Sequence, residues 1–137
     1  MTYCCLELCR NPRVLAKWRV EIDELFTQNP SGPTYETLGG LKFLDSFIKE
    51  ALRLHTVVPN LFKSSTEDTE IFGSFVPKGT EIFLDIFGLA RDERYWGSDA
   101  LEFKPERWSE NFLPVEGSYV PFGDGPTNVC CFCLLPI

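Results

Sequence analysis

No cysteine stands between Cys9 and Cys130; the six in this chain fall in two clumps, Cys4, Cys5 and Cys9 near the start and Cys130, Cys131 and Cys133 near the end. A disulfide scaffold spreads its cysteines through the chain, so that class is excluded. Cys4 and Cys5 are neighbours on a stretch that reads as helix and point about 100° apart, which is wrong for converging zinc ligands. Reduced thiols are the reading for the first clump, and a small metal-binding module would rest on the terminal clump alone. Basic residues are also scarce: 13 against 20 acidic ones give a net charge of −7. A field of that sign repels phosphate backbones, so no nucleic-acid partner is expected. Long apolar runs are missing as well. "MTYCCLELCRNP" has no basic n-region, and Glu7 interrupts it well short of signal-peptide or membrane-spanning length, so no anchor or export signal is visible. There is no repeat and no low-complexity tract, and His55 is the only histidine.

What is present is ordinary globular material for one domain or a piece of one: 137 residues, 44% hydrophobic and 24% charged. Asn11 before Pro12 predicts a helix start, with Asn11 as N-cap acceptor and a proline whose missing N–H costs nothing at the first position. Val14, Trp18, Ile22 and Leu25 recur at helical spacing, giving a helix over 11–26 that "TQNPSGP" ends. Thr34 is placed to cap a short turn in "TYETLGG", which Gly39 and Gly40 break before a stronger helix over 41–55. Strands follow over about 59–86. "NLFKSS", "EIFGSFV" and "TEIFLDIF" each read as one, with "VPKG" between the last two as a type I turn. A brief helical stretch near "FGLARDERYW" then leads into a proline-rich meander over about 92–120.

On the 41–55 helix, Phe43, Leu44, Phe47, Ile48, Ala51, Leu52, Leu54 and His55 share one wide arc, and Glu50 falls inside its edge. A carboxylate there must be paired, and Arg53, three residues on, lies within reach. On the helix alone, an ordinary surface i,i+3 pair reads equally well. A buried pair needs a third member to satisfy the guanidinium fork or the second carboxylate oxygen, and "FKPERW" offers Arg107.

"EALR" (Glu50 to Arg53), "PERW" (Pro105 to Trp108) and "FGDGP" (Phe122 to Pro126), in that order, resemble the E-x-x-R helix, the meander motif and the start of the haem loop of the cytochrome P450 family of haem-thiolate monooxygenases. "CLELCRNPRVLAKWRVEIDELF" resembles the end of that family's long central helix and the helix after it, and "FVPKGTEIFL" its strand-turn-strand. The likeness runs from residue 3 to residue 126. It implies a mainly α fold with a smaller β part (α+β), here one incomplete, C-terminal portion of a single domain spanning 1–137. It also implies that Glu50, Arg53 and Arg107 form a three-way ion pair behind the haem, that Phe122 and Gly125 belong to the haem loop over 121–130, and that Lys63 faces a haem propionate. On its spacing alone, Lys63 reads equally well as a solvated strand lysine.

The family loop runs F-x-x-G-x-R-x-C-x-G. From Phe122 and Gly125, its arginine slot is Thr127, its cysteine slot Val129 and its closing glycine slot Cys131, so the thiol of Cys130 comes one residue late. Two readings stand. Cys130 is the axial ligand of the haem iron through a one-residue bulge, or "TNVCCFCLLPI" is an out-of-register tail whose cysteines are incidental. The missing arginine, glycine and following helix favour the second. The family's oxygen-relay residues lie before the first residue of this chain, so the chain alone is expected not to turn over.

The implied activity is insertion of one atom of O₂ into an unactivated C–H bond, with haem as cofactor and NADPH electrons from a separate reductase. "WGSDALEFKPERW" resembles the branch that hydroxylates fatty acids at the chain end, which makes a lipophilic substrate such as a fatty acid the first expectation. Leu61 and Phe62 are candidates to face the substrate, and His55 reads as a packed core residue. The family implies the endoplasmic reticulum membrane. The alternative is a non-catalytic truncated product that binds a partner through exposed apolar surface, and on that reading the segment before Asn11 and the tail after Pro126 should pack poorly.

Overall fold

The computed structural model describes residues 2–109 and 111–123. Gly125, Cys130 and the rest of the proposed loop beyond Gly123 lie outside the described residues.

Two helices open the chain, α1 (Thr2–Arg10) and α2 (Pro12–Gln28), parted only by Asn11. Asn11 does not cap α2 as expected. Its Nδ2 turns back to donate to the Glu7 carbonyl at 2.9 Å and to Glu7 Oε2 at 2.8 Å, so it ties the two helices together. Val14 and Leu25 are buried and Trp18 and Ile22 half-buried, which is the expected stripe. Thr34 does cap α3 (Tyr35–Gly39), in a reciprocal box with Thr37.

The helix α4 (Lys42–Leu54) has no cap from its own N-cap residue, Leu41. The cap comes from α2 instead: Glu21 accepts from the backbone N–H groups of Phe43 and Leu44, both at 2.8 Å. One carboxylate thereby satisfies two orphan donors and faces the positive end of the helix dipole.

Four short strands follow, and they pair differently from the sequence reading. β1 (Asn60–Ser64) pairs antiparallel with β4 (Glu81–Asp85), Phe62 opposite Phe83 and Lys63 opposite Ile82. "EIFGSFV" is not one strand but a hairpin of β2 (Thr69–Ile71) and β3 (Ser74–Val76), separate from the first sheet. Its two turn residues, Phe72 and Gly73, have φ of 50° and 78°, the conformation a two-residue type I′ connection requires. "VPKG" joins β3 to β4, which do not pair. Its turn closes from the Thr80 N–H to the Pro77 carbonyl at 3.1 Å with Gly79 at φ 84°, which fits a type II turn rather than the expected type I.

β4 stops at Asp85 because the Asp85 side chain accepts from the Gly88 N–H at 2.8 Å and starts α5 (Ile86–Leu89). Then come α6 (Glu93–Trp96) and a 3₁₀ turn at Pro105–Trp108, which packs along α4. The core is small and runs from α2 through α4 to the meander: Val14, Leu25, Leu41, Phe47, Ala51, Ile86, Ala90, Trp96 and Ala100 are buried. Among the described residues no helix is long and apolar enough to cross a membrane. Helices with two small antiparallel sheets make this an α+β chain, as expected.

Candidate functional site: a buried ion-pair network

The most completely buried polar groups are Glu50 and Arg53, 0% and 1% exposed, on the face α4 turns to the 3₁₀ turn. Spacing of three residues sets their side chains on adjacent rows, and the contact is a two-pronged fork: Arg53 Nε donates to Glu50 Oε2 at 2.9 Å and Nη2 to Oε1 at 2.8 Å. Every remaining direction of the guanidinium ends on a carbonyl. Nη1 donates to Ala90 and Ala100 at 2.6 and 2.7 Å, and Nη2 to Glu102 at 3.2 Å. Its face lies 4.9 Å from the Trp96 ring.

Glu50 is equally saturated. Oε1 accepts from the Lys104 backbone N–H at 3.0 Å and Oε2 from the Trp108 indole N–H at 2.9 Å. Both donors come from the meander, and neither was singled out in the sequence. Saturation of this kind is what makes a buried charge pair tolerable.

Arg107 joins the network more loosely than expected. Its Nε stands 3.6 Å from Glu50 Oε1, within Coulombic reach but without a hydrogen bond, and that nitrogen is a buried polar atom with no partner. Its terminal nitrogens instead hold the Asp99 turn: Nη1 donates to Asp99 Oδ1 and the Trp96 carbonyl, both at 2.8 Å, and Nη2 to the Asp99 carbonyl at 2.9 Å. Lys104 reaches the other Asp99 oxygen at 2.8 Å. The hydrogen bonds from Lys104 and then Arg107 hold the Asp99 carboxyl down at about 2. Ile48, placed on the apolar arc by spacing, is 42% exposed, because α4 is rotated to bury Glu50 and Arg53 instead.

The residues expected around a cofactor lie elsewhere. On β1, alternation puts Leu61 and Lys63 on one face with Leu84 and Ile82, and Phe62 on the other, edge-on to Phe83 at 5.2 Å. Leu61 and Phe62 therefore cannot face one pocket together. Phe122 is 37% exposed, at the start of the loop, and Gly123 beside it has φ 82°. On that face Leu61 and Ile82 are half-buried and Leu84 is exposed, beside Lys63.

His55 is more than core packing. Its Nε2 lies 2.9 Å from Glu7 Oε1, and its ring is stacked on Tyr3 with centroids 4.4 Å apart. Glu7 is 5% exposed and ties α1 to α4, yet it is the only buried residue of α1 and Tyr3 is 54% exposed, so beyond that polar tie the segment before Asn11 packs thinly. Helical spacing alone could not pair residues 7 and 55. The thiols of Cys4, Cys5 and Cys9 are free, and no cluster of three or more His, Cys, Asp or Glu among the described residues is arranged to hold a metal ion.

The model of the family described as Cytochrome P450 matches residues 1–131. Among curated proteins, the chain is 40% identical to Zealexin A1 synthase of Zea mays over 91% of its own length, 38% to Cytochrome P450 4d2 of Drosophila melanogaster over 93%, and 39% to Cytochrome P450 3A29 of Sus scrofa over 89%. It covers 26%, 26% and 24% of those proteins, so it spans about a quarter of the length of the curated relatives it matches. With the E-x-x-R pair buried and saturated and the family model matching all but the last six residues, the chain belongs to the cytochrome P450 family.

Proposed function

We propose that this chain supplies the ion-pair network and the start of the haem loop of a haem-dependent monooxygenase, an oxidoreductase that inserts oxygen into C–H bonds of a lipophilic substrate. The observation that carries this reading is the saturated Glu50–Arg53 pair, which fixes the meander against α4 and so sets the position from which Phe122 and Gly123 enter the loop. A thiolate-ligated haem, when bound, supplies oxygen activation, with electrons from a reductase that draws on NADPH. The chain's own residues would hold it: Phe122 and Gly125 against the ring and Lys63 toward an acidic edge, while Cys130, the thiol nearest the ligand slot, stands one residue late for the thiolate. A fatty acid is the substrate we favour, on the resemblance of residues 96–108 to the chain-end hydroxylases.

The test is titration of the 137-residue chain with haem, followed by reduction under carbon monoxide. The one-residue displacement of Cys130, with Thr127 and Val129 in the arginine and cysteine slots, leads us to expect weak haem binding without a thiolate spectrum. A thiolate spectrum that Cys130→Ser removes would establish Cys130 as the ligand. A second reading, a non-catalytic product that binds a partner through apolar surface, is favoured by the exposure of Phe62, Phe83, Phe72 and Phe75, which are 73%, 55%, 103% and 70% exposed. Absence of any haem binding, together with concentration-dependent association, would select it.

A further inference from the structure

The sheet of β1 and β4 has only two strands, and a lone pair of that length is marginal in water without a further strand or a cover. Its aromatic face is open: the rings of Phe62 and Phe83 meet at 5.2 Å, and both are more than half exposed. Among the described residues no strand pairs with the second edge of β1.

The ladder fixes which backbone groups that edge presents. At one end the Ser65 N–H donates to the Thr80 carbonyl at 3.0 Å, and at the other the Phe87 N–H donates to the Pro59 carbonyl at 2.9 Å, so the odd-numbered residues of this stretch bond inward, toward β4. Hydrogen bonding alternates along an antiparallel strand, which leaves the N–H and C=O groups of Asn60, Phe62 and Ser64 pointing out of the sheet. A row of open groups of this kind accepts another strand.

Charge selects the strand that pairs. The chain has 20 acidic residues, yet "NLFKS" of β1 has none, whereas "EIFLD" of β4 carries Glu81 and Asp85. Two copies joined antiparallel through β4 and centred on Phe83 would set Glu81 opposite Asp85 of the second copy, like charges directly across the ladder. Joined through β1 and centred on Phe62, they set Lys63 opposite Leu61 and Ser64 opposite Asn60, with no like-charged pair. Adding β1 to β4 of the next copy leaves an edge open at each end and does not close.

We propose that this chain forms a two-fold symmetric dimer by antiparallel pairing of β1 with β1 of a second copy, Phe62 opposite Phe62. The product is a four-stranded sheet in the order β4, β1, β1, β4. The N–H and C=O of Phe62 bond reciprocally with those of Phe62 in the second copy, and Asn60 bonds with Ser64 on either side. Directly opposed residues project to the same face, so the Phe83–Phe62 contact extends into one row of rings across the junction. A net charge of −7 on each copy opposes their approach, so the dimer tightens as salt screens it. The inference rests on the second reading above, association through exposed apolar surface, and gives that reading a partner and a register.

The experiment is sedimentation equilibrium of the full chain over a concentration series at low and high salt, paired with NMR of a mixed sample in which half the chains carry carbon-13. A monomer–dimer equilibrium that salt strengthens is expected, with a contact between the Leu61 Hα of one copy and the Lys63 Hα of the other, the close non-hydrogen-bonded pair of this register. Ser64→Pro, which removes an outward N–H, and Phe62→Lys, which sets two cations at the two-fold axis, should each return the chain to monomer. Should either variant lose the circular dichroism of the folded chain, the Leu61–Lys63 contact in the unaltered chain decides alone. A chain that stays monomeric at every concentration overturns the inference. Association that survives both folded edge variants, or that lacks the Leu61–Lys63 contact, overturns the β1 pairing and leaves the second reading standing.

Discussion

Arg107 hydrogen-bonds Asp99 and holds Glu50 only through charge: its Nη1 donates to Asp99 Oδ1 at 2.8 Å, while its Nε forms a looser ion pair with Glu50 at 3.6 Å without a hydrogen bond. The third member of the network therefore works through the Asp99 turn, which it shares with Lys104.

Acid should act on that turn. The Asp99 carboxyl is held at about 2, below its ordinary 3.8, by the Lys104 and Arg107 hydrogen bonds. A depressed folded value means that the stabilisation is fully present above the ordinary carboxylate range and is lost as pH falls from about 4 toward about 2. Melting temperature should drop more steeply in that window for the unaltered chain than for Asp99→Asn. Parallel pH profiles would show that the pair contributes nothing in solution.

Glu50→Gln should cost about 3 to 5 kcal/mol, because it leaves the buried Arg53 without its counter-charge. Lys49→Met, which breaks only the exposed Asp45 pair one turn away, should stay within about 0.5 kcal/mol. Urea unfolding midpoints compare the two directly, and similar shifts would refute the distinction.

The hairpin turn offers a stabilising change. Phe72 is the only non-glycine among the described residues with positive φ, and its ring is fully exposed. Phe72→Asn restores the Asn-Gly pair that type I′ turns prefer and should raise stability by about 0.5 kcal/mol, whereas Gly73→Val should lower it. Thermal melts of both variants check the sign.

Glu7→Ala should free α1. It removes the partner of the His55 ring and one of two acceptors of Asn11, whose Nδ2 keeps the Glu7 carbonyl, at about 1 kcal/mol for the part-buried imidazole left unpaired. Hydrogen exchange should quicken over Thr2–Arg10 and leave α4 protected. Equal loss in both helices would mean that the contact is global and not a local tie.

The helices were legible because 3.6-residue spacing and caps are local signals. Val14 with Leu25, Thr34 with Thr37, and Glu50 with Arg53 each lie within one element or its end. Most of what stayed hidden depends on residues far apart in the chain. Glu21 capping α4 and Glu7 meeting His55 follow from how elements dock, which no window of sequence contains, whereas Asp99 is only 8 residues from Arg107 and is hidden because an irregular turn, not a periodic element, brings the two together. "EIFGSFV" misled for another reason: apolar content was read as continuity, although Phe72-Gly73 in its middle is turn chemistry. The resemblance located Glu50, Arg53 and Arg107, but their hydrogen-bond partners are set by how the meander docks on α4.

Glu50 and the Trp108 indole that closes its last valence are 58 residues apart, and the Lys104 donor is 54 away. Joining them encloses both sheets, α5 and α6 in one loop, so its closure entropy falls due before any of these bonds can reward it. The network is thus expected to form after the folding transition state. Chevron analysis of Trp108→Phe should show a steeper loss of native lifetime, through faster unfolding, with the refolding limb nearly unmoved. The ion pair's part in this chain would then be to keep the native state shut rather than to find it.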